Sequence, residues 1–250
     1  MTLQVSSAAE LVRLDLAGAL HGAGGTVYFV PPQATALDGT ALRHSVRFTK
    51  RLLDVLLALA LGPVSLPLVA AAAVAIKLNT PGPVLFWQWR VGWNGRLFRM
   101  VKLRTMVIGN DESRHVAYVA ELIRGEAAQQ AGGIFKITDD PRVTRIGGLL
   151  RRLSIDELPQ IFNVLRGDMS IVGPRPALPR EVELYDERAS QRLKVRPGLI
   201  DLWQVSGRSE LDFRAMVDLD VAYWERWTLT RELTIILKTP AAVLNRRGTA

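Results

Sequence analysis

Two adjacent carboxylates stand in an arginine-rich, proline-interrupted segment, RRLSIDELPQIFNVLRGDMSIVGPRP, at residues 151–176. Asp156 and Glu157 repel one another unless cations or a metal ion lie close. A carboxylate can bind Mg²⁺, which bridges phosphate oxygens, or attack phosphorus and form an acyl phosphate. Arginine guanidinium groups match phosphate oxygens in geometry and charge. The segment is therefore a candidate phosphate site. The alternative for the carboxylate pair alone is a solvated helix face neutralised by Arg151 and Arg152.

The amino-acid composition limits the kinds of catalytic and metal site that the chain can form. The chain has no cysteine and only three widely spaced histidines, His21, His44 and His115. Thiolate catalysis, disulfides and cysteine-based zinc sites are therefore excluded, and a histidine-rich metal site is disfavoured. The net charge is +8 and the pI is about 10.3, which favours anionic partners such as phosphates, acidic lipid headgroups or nucleic acid.

Local signals predict a helix–helix junction at the carboxylate pair. Leu158 precedes a proline and is disfavoured in the α region, while Pro159 suits the first turn of a new helix that ends at Gly167. The predicted apolar face of this helix consists of Ile161, Phe162 and Leu165. The junction would turn both carboxylates into one pocket beside a helix N-terminus, where free N–H groups favour phosphate.

Two elements are predicted upstream of this junction. An Asn-Gly dipeptide between apolar runs predicts a β-hairpin within residues 84–106. Asp140 or Thr138 is predicted to cap a helix whose first residue is Pro141. Together with the helical spacing near the C-terminus, these signals predict a mostly helical α+β fold with a small hairpin.

The clearest physical signal is an apolar segment from Val55 to Ile76 that contains no ionisable side chain. An uncharged stretch of about 20 residues is typical of a transmembrane helix. Pro63 and Pro67 interrupt it, however, and each removes a backbone donor and clashes with the preceding turn. Each half is only about 15 Å long, too short for a hydrocarbon core of about 30 Å. The pattern predicts a re-entrant helix–break–helix over residues 45–79.

Basic residues flank the apolar segment on both sides, which places both of its ends on the cytoplasmic face. Ser65, or protein packed around the bend, is predicted to satisfy the backbone groups that are freed there. The alternatives are an ordinary spanning helix with a kink and a buried core helix of a soluble protein. Three tryptophans that follow fit either the headgroup region or a protein core: Trp87, Trp89 and Trp93.

An ordered set of motifs from Lys50 to Ala250 resembles the bacterial sugar transferases, the monotopic phosphoglycosyl transferases that act on polyprenyl phosphate. The chain resembles the short form of this family, with Leu66-Pro67 where Ser-Pro is common. The matching pieces are KRLLD (50–54), the proline-interrupted apolar segment, PGPVLF, RVGWNGRLF, KLRTM (102–106), TDDPRVTRIG, LRRLSIDELPQIFNVLRGDMSIVGPRP, VRPGLIDLWQVSGR and YWERWTLTRELTIILKT.

The resemblance implies a two-step reaction on the cytoplasmic face of the bacterial inner membrane. Asp156 resembles the nucleophile that attacks the β-phosphate of a nucleotide diphosphate sugar, for example a UDP-sugar, so that UMP leaves. Polyprenyl (undecaprenyl) phosphate would then accept the phosphosugar as the first step of exopolysaccharide, capsule or glycoconjugate assembly. Glu157 resembles the partner carboxylate, and both carboxylates would hold Mg²⁺.

The resemblance also implies a set of substrate contacts. Four basic residues are expected to hold phosphates, and three further residues are expected on the nucleotide or sugar side. The phosphate set is Lys102, Arg104, Arg151 and Arg175, and the second set is Arg196, Gln204 and Arg208.

The expected organisation has three parts: a weakly specified extension at 1–44, a re-entrant membrane helix at 45–79 and a cytosolic catalytic domain at 80–250. Anionic membrane lipids are expected partners, nucleic acid is not, and a homo-oligomer is left open. Two other functions compete with phosphosugar transfer. One is a metal-dependent nucleotide-sugar pyrophosphate hydrolase, with water as the acceptor. The other is a non-enzymatic, basic membrane scaffold.

Overall fold

The computed structural model describes residues 44–108, 113–125, 140–205 and 212–244. Apart from His44, the predicted N-terminal extension therefore lies outside the described residues. The described chain is mostly helical and contains one small antiparallel hairpin, as the sequence predicts. Among the described helices, α1 (His44–Asn79) alone has the length and composition to span a membrane.

Helix α1 continues without interruption through Pro63 and Pro67, so the predicted break in its secondary structure is wrong. A proline removes only its own N–H and commonly kinks a helix whose neighbouring turns stay intact. The hydroxyl of Ser65 donates to the carbonyl of Gly62 over 2.9 Å. Each proline deprives the carbonyl four residues earlier of its usual donor. The carbonyl of Gly62 is not one of these, so the Ser65 hydrogen bond does not replace either of the lost ones.

The predicted hairpin is confirmed. Strand β1 (Leu85–Val91) pairs antiparallel with β2 (Leu97–Leu103) in a register that places the first residue of β1 opposite the last residue of β2. A short 3₁₀ turn joins the strands, with Asn94 at φ 53° and Gly95 at φ 75°. These left-handed conformations favour Asn and Gly, which is why the dipeptide signalled the turn.

The structure also contains a parallel pair of strands that the sequence analysis did not predict. Strand β3 (Ser170–Val172) pairs with β4 (Gly198–Ile200), although a long stretch of chain separates them. The two backbones approach so closely that a Cβ placed on Gly198 would lie 2.1 Å from the amide nitrogen of Gly173. This contact brings the GPRP and RPG turns together.

The remaining elements are short except for the two C-terminal helices, which pack against the hairpin and β3. The α-helices are α2 (Ser113–Arg124), α3 (Arg145–Arg152), α4 (Ile161–Arg166), α5 (Pro179–Val182), α6 (Glu187–Ser190), α7 (Leu202–Val205), α8 (Phe213–Glu225) and α9 (Leu229–Leu244). The 3₁₀ helices are Trp93–Gly95, Ile155–Gln160 and Gln191–Lys194.

Helix α3 begins later than the sequence predicts. Thr144 is its N-cap and accepts a hydrogen bond from the amide of Gly147 over 2.9 Å. Asp140 instead forms a 2.6 Å ion pair with Arg142, so its predicted capping role is wrong, and Thr138 lies outside the described residues. Thr144 caps the helix because its hydroxyl oxygen reaches an N–H group of the first turn that has no partner within the helix.

Helix α4 ends at Gly167, whose φ is 91°, as predicted. Its predicted buried face is right for Ile161 and wrong for Phe162 and Leu165, which are exposed, while Val164 is buried instead. Helical periodicity explains the difference, since residues three apart share a face whereas immediate neighbours do not.

Both halves of α1 pack against the rest of the chain. Near its start, Ala58 belongs to a buried cluster with Met100 of β2 and Ile235 of α9. Near its end, Ala72 and Ile76 belong to a second cluster with Leu103 and Leu150. Most side chains of the intervening turns are exposed and apolar. Helix α1 therefore rests on the domain at two separated places.

Candidate active site

The end of β2 and the start of α3 are pressed together by a close backbone contact. A Cβ placed on Gly147 would lie 2.0 Å from the carbonyl oxygen of Thr105. The same carbonyl accepts a hydrogen bond from the amide of Thr144 over 3.0 Å. Helix α3 is therefore held directly beside the residues that follow β2, and glycine is required at the contact.

This contact orients Arg151 at the far end of α3. Its Nε donates to the hydroxyl of Thr105 over 2.8 Å. Ser154, at φ 56°, then turns the chain into the 3₁₀ helix. Asp156 and Glu157 occupy the first turn of that helix. The predicted junction therefore exists, although Pro159 lies inside the 3₁₀ helix rather than in α4.

The two carboxylates have different surroundings. Asp156 is buried, with 7% of its surface exposed. Glu157 is partly exposed and pairs with Lys102 of β2, with 2.9 Å between Oε1 and Nζ. Burial lowers the pKa of Arg151, and the negative charge of Asp156 is the largest opposing influence. The structure thus brings together four predicted site residues, in which two cations face two carboxylates.

Arg175 is oriented by a buried carboxylate rather than by the rigidity of its turn alone. Its Nη1 lies 3.0 Å from Oε2 of Glu181, which also accepts from the amide of Leu178 over 2.9 Å. Burial alone would raise the pKa of Glu181, but the charges of Arg175 and Arg90 hold it below its usual value. The guanidinium of Arg175 is therefore held by an ionised partner.

Asp201 is a buried carboxylate that the sequence analysis missed. Burial raises its pKa to about 8, and the charges of Asp220 and Glu157 add to this effect while Arg175 opposes it. Asp201 therefore lies within electrostatic reach of both Glu157 and Arg175. A single acidic residue within the apolar run of VRPGLIDLWQ was the signal that could have identified it.

Arg104, a predicted phosphate ligand, and Arg196, predicted on the nucleotide or sugar side, lie in other surroundings. The Nη2 atom of Arg104 donates to the carbonyl and the hydroxyl of Thr80, over 3.0 and 2.9 Å, so Arg104 fastens the turn that follows α1. The Nε atom of Arg196 donates to the carbonyl of Gly167 over 2.8 Å, beside the first turns of α1. The side chains of Gln204 and Arg208 lie outside the described residues.

The KRLLD motif joins α1 to the domain. The Nζ atom of Lys50 lies 2.6 Å from Oε1 of Glu232 in α9, and both side chains are buried. Arg51 donates to two carbonyls of α4, and Asp54 accepts two hydrogen bonds from β3. Sequence reasoning gave these residues no role beyond the motif, because their partners are distant in the chain.

The carboxylate pair fits Mg²⁺ by its donor chemistry. Within the described ranges, no group of three or more acidic or histidine side chains is placed to hold a metal ion. Mg²⁺ is nevertheless commonly bound through one or two carboxylates together with substrate phosphates and water. Asp156 and Glu157 supply such oxygens, and the cations Arg151 and Lys102 lie beside them.

The geometry places two carboxylates and two cations together in a domain that packs against an apolar helix, and comparison with known proteins defines the class of protein. The model of the bacterial sugar transferase family matches residues 45–246. The chain therefore belongs to the bacterial sugar transferase family, as its motifs predict. The predicted enzyme class, sugar-1-phosphate transferase, is confirmed by relatives named as phosphotransferases of that kind.

Three relatives illustrate the range of the similarity. Over 226 residues the chain is 39% identical to the exopolysaccharide production protein ExoY of Sinorhizobium fredii, covering 89% of this chain and 95% of that protein. It is 42% identical over 215 residues to the UDP-glucose:undecaprenyl-phosphate glucose-1-phosphate transferase of Caulobacter vibrioides, covering 82% and 73%. It is 38% identical over 214 residues to the undecaprenyl-phosphate galactose phosphotransferase of Salmonella typhimurium, covering 85% and 44%.

Proposed function

We propose that this enzyme transfers a phosphosugar from a UDP-sugar to polyprenyl phosphate, most simply undecaprenyl phosphate, as the first step of exopolysaccharide or related glycan assembly. The observation that carries the proposal is the buried carboxylate of Asp156 between Arg151 and the Glu157–Lys102 pair. The names of the relatives supply the class of donor and acceptor.

In the first step, a carboxylate oxygen of Asp156 attacks the β-phosphorus of the donor. The bond between that phosphorus and the bridging oxygen breaks, and UMP leaves with the electron pair. The sugar phosphate stays on the enzyme as an acyl phosphate. In the second step, an oxygen of polyprenyl phosphate attacks the same phosphorus, the bond to Asp156 breaks, and the carboxylate is restored. The product is a polyprenyl-diphosphate sugar.

The surrounding charges fit these two steps. Arg151 and Lys102 are placed to hold phosphate oxygens while negative charge moves from the nucleophile to the leaving group. Burial of Asp156 removes water from the carboxylate and from the acyl phosphate that it would form. Asp156 and Glu157 would hold Mg²⁺, which supplies neutralisation of phosphate charge when bound. Arg175, held by Glu181, is proposed to contact the donor from the GPRP turn.

We further propose that α1 enters the inner membrane from the cytoplasmic face and returns to it. Both of its halves contact one domain, through Ala58 and through Ala72 and Ile76. Basic residues precede and follow its apolar part, which favours the same side for both ends. Pro63 and Pro67 provide the bend at which the helix would turn within one leaflet.

The test of function is release of UMP from UDP-glucose, UDP-galactose and UDP-N-acetylgalactosamine, with and without polyprenyl phosphate. We expect multiple turnovers only when polyprenyl phosphate is present, and loss of turnover in Asp156→Asn. A matched control is Asp218→Asn, which neutralises an exposed aspartate paired with Arg188. Sustained UMP release without the lipid would show a hydrolase instead, and no release with any donor would favour a scaffold.

A further inference from the structure

A second cationic site lies beside the first turns of α1. The cleft has an empty volume of about 390 Å³, which includes open solvent, and we call it the cationic cleft. Among the described residues that line it, Asp54 is the one acidic side chain. None of its lining residues belongs to the group around Asp156. The cations and the aromatic residue that define it are Arg47, Lys50, Arg51, Lys194, Arg196 and Trp93.

Two of these cations, Arg51 and Arg196, are engaged by main-chain carbonyls, whereas Lys50 lies 4.0 Å from Asp54. Arg51 donates to two main-chain carbonyls of α4, and Arg196 donates to the carbonyl of Gly167. A neutral carbonyl satisfies a donor without cancelling its charge. Lys50 is engaged by Glu232, and Asp54 is occupied by hydrogen bonds from β3.

The remaining cations repel one another across the cleft. Burial lowers the pKa of Arg196, and the charge of Arg51 adds to this effect, as do the weaker influences of Arg47 and Arg96, while Asp54 opposes it. A bound anion would relieve this repulsion and would find several donors converging on it.

Trp93 holds two of the guanidinium groups in place. The Cζ atom of Arg47 lies 4.7 Å from the centre of the indole ring, and that of Arg196 lies 4.9 Å from it. One ring therefore contacts two arginines from separate parts of the chain. Such stacking limits the freedom of both side chains, so less entropy is lost when they bind an anion.

The position of the cleft indicates what kind of anion it receives. The same turns of α1 expose the apolar side chains of Phe48, Leu52 and Leu56. Phe48 and Leu52 precede the longest apolar stretch of the chain and Leu56 lies at its start, at the level where an entering helix meets lipid headgroups. An anion held in the cleft would lie at that level, with acyl chains alongside the exposed apolar residues.

We propose that the cationic cleft binds the phosphate of an anionic phospholipid headgroup, such as phosphatidylglycerol, and fixes the entry end of α1 at the membrane surface. This inference rests on the proposed membrane attachment and not on the transfer chemistry. It also gives Arg196 a role at the membrane rather than at the nucleotide sugar.

The experiment uses the full chain in a neutral detergent and soluble dihexanoyl lipids below their micelle-forming concentrations. Apparent affinities are obtained from the rise in melting temperature with lipid concentration. The test variant is Arg47→Gln/Lys194→Gln, and the matched control is Arg214→Gln/Arg226→Gln, which removes two exposed charges from outside the cleft. If the test variant does not fold, Lys194→Gln alone replaces it.

We expect dihexanoylphosphatidylglycerol to bind the wild-type chain more tightly than dihexanoylphosphatidylcholine does. The double variant should bind the anionic lipid roughly 10- to 30-fold more weakly, because each basic residue contributes about 1 kcal/mol at an anionic surface. The control should bind it as the wild type does.

Three outcomes would overturn the proposal: equal affinity for both lipids, unchanged affinity in the double variant, or equal stabilisation by inorganic phosphate. Competition between the anionic lipid and a short-chain polyprenyl phosphate would also overturn it, because the cleft would then belong to the acceptor. UMP release is measured separately with the same preparations, so failure of the lipid test and failure of the proposed transfer reaction are distinguishable.

Discussion

The two carboxylates of the site differ in burial, although they are neighbours in the chain. Asp156 is enclosed and faces Arg151, whereas Glu157 reaches Lys102 from a more open position. Adjacent carboxylates in unlike environments can take unlike roles, one as nucleophile and one as ligand or hydrogen-bond partner. The choice of Asp156 over Glu157 as the nucleophile agrees with its more enclosed position.

Lys102 is expected to act on the transferred phosphate as well as on Glu157. Lys102→Gln should lower kcat/KM for UMP release roughly 100-fold, as for loss of one donor to developing negative charge. Lys238→Gln, which removes an exposed lysine of α9, serves as the control and should leave the rate near that of the wild type. A Lys102→Gln enzyme with unaltered kinetics would show that Lys102 only neutralises Glu157.

Asp201 should make the stability of the fold depend on pH. Its pKa is raised from 3.8 to about 8, so the folded state keeps a proton that the unfolded state releases. The resulting stabilisation is complete below the unfolded pKa and is lost as the pH rises through the folded pKa. The asparagine of Asp201→Asn cannot titrate. The unfolding free energy of this variant should therefore decline less steeply between those pH values than that of the wild type, by up to about 1.4 kcal/mol per pH unit.

Denaturant unfolding at several pH values measures this effect. Asp218→Asn, at an exposed site, should follow the wild-type curve. Parallel curves for wild type and Asp201→Asn would contradict the assignment of a proton to Asp201.

At the scale of elements, local sequence signals predicted the structure correctly wherever a single residue type determines the backbone conformation. Asn94-Gly95 located the hairpin and Gly167 located the end of α4, because both require positive φ. The β3–β4 pairing and the ion pair of Lys50 with Glu232 were beyond prediction, since each depends on the close approach of segments that are distant in the chain. The continuity of α1 through Pro63 and Pro67 was missed because proline weakens a helix locally while the turns around it persist.

The packing of α3 on Thr105 gives a sharp test at this scale. Gly147→Ala should lower the free energy of unfolding by about 1–3 kcal/mol, because the new Cβ would overlap the Thr105 carbonyl. Gly148→Ala is the control, since its Cβ would meet only a side-chain methyl of Val143 at 3.9 Å. That change should be neutral or stabilising by about 0.5–1 kcal/mol. Equal effects in both variants would contradict the close contact.

At the scale of the whole molecule, the apolar helix and the site form one unit. Lys50 and Glu232 join α1 to α9, and Ala72 and Ile76 join its other half to β2 and α3. The site is therefore built on the same elements against which the apolar helix packs. Such an arrangement suits a reaction whose donor is soluble and whose acceptor lies in the bilayer.

The chain has no cysteine, which allows its topology to be tested with single introduced thiols. Ser45→Cys, in the first turn of α1, and Asn110→Cys place labels before and after the apolar part of the helix. Under the re-entrant proposal, both should react with an impermeant maleimide in inside-out vesicles and neither in intact spheroplasts. Reaction of the two positions from opposite sides would establish an ordinary spanning helix.

The central claim, a phosphosugar carried on Asp156, is tested most directly by mass spectrometry of the enzyme after incubation with a UDP-sugar and no polyprenyl phosphate. We expect an adduct of one sugar phosphate on the peptide that contains Asp156, its disappearance when polyprenyl phosphate is added, and its absence from Asp156→Asn. Asp218→Asn should form the adduct as the wild type does. An enzyme that makes the polyprenyl-diphosphate sugar without passing through this adduct, or that forms it in Asp156→Asn, would contradict the account.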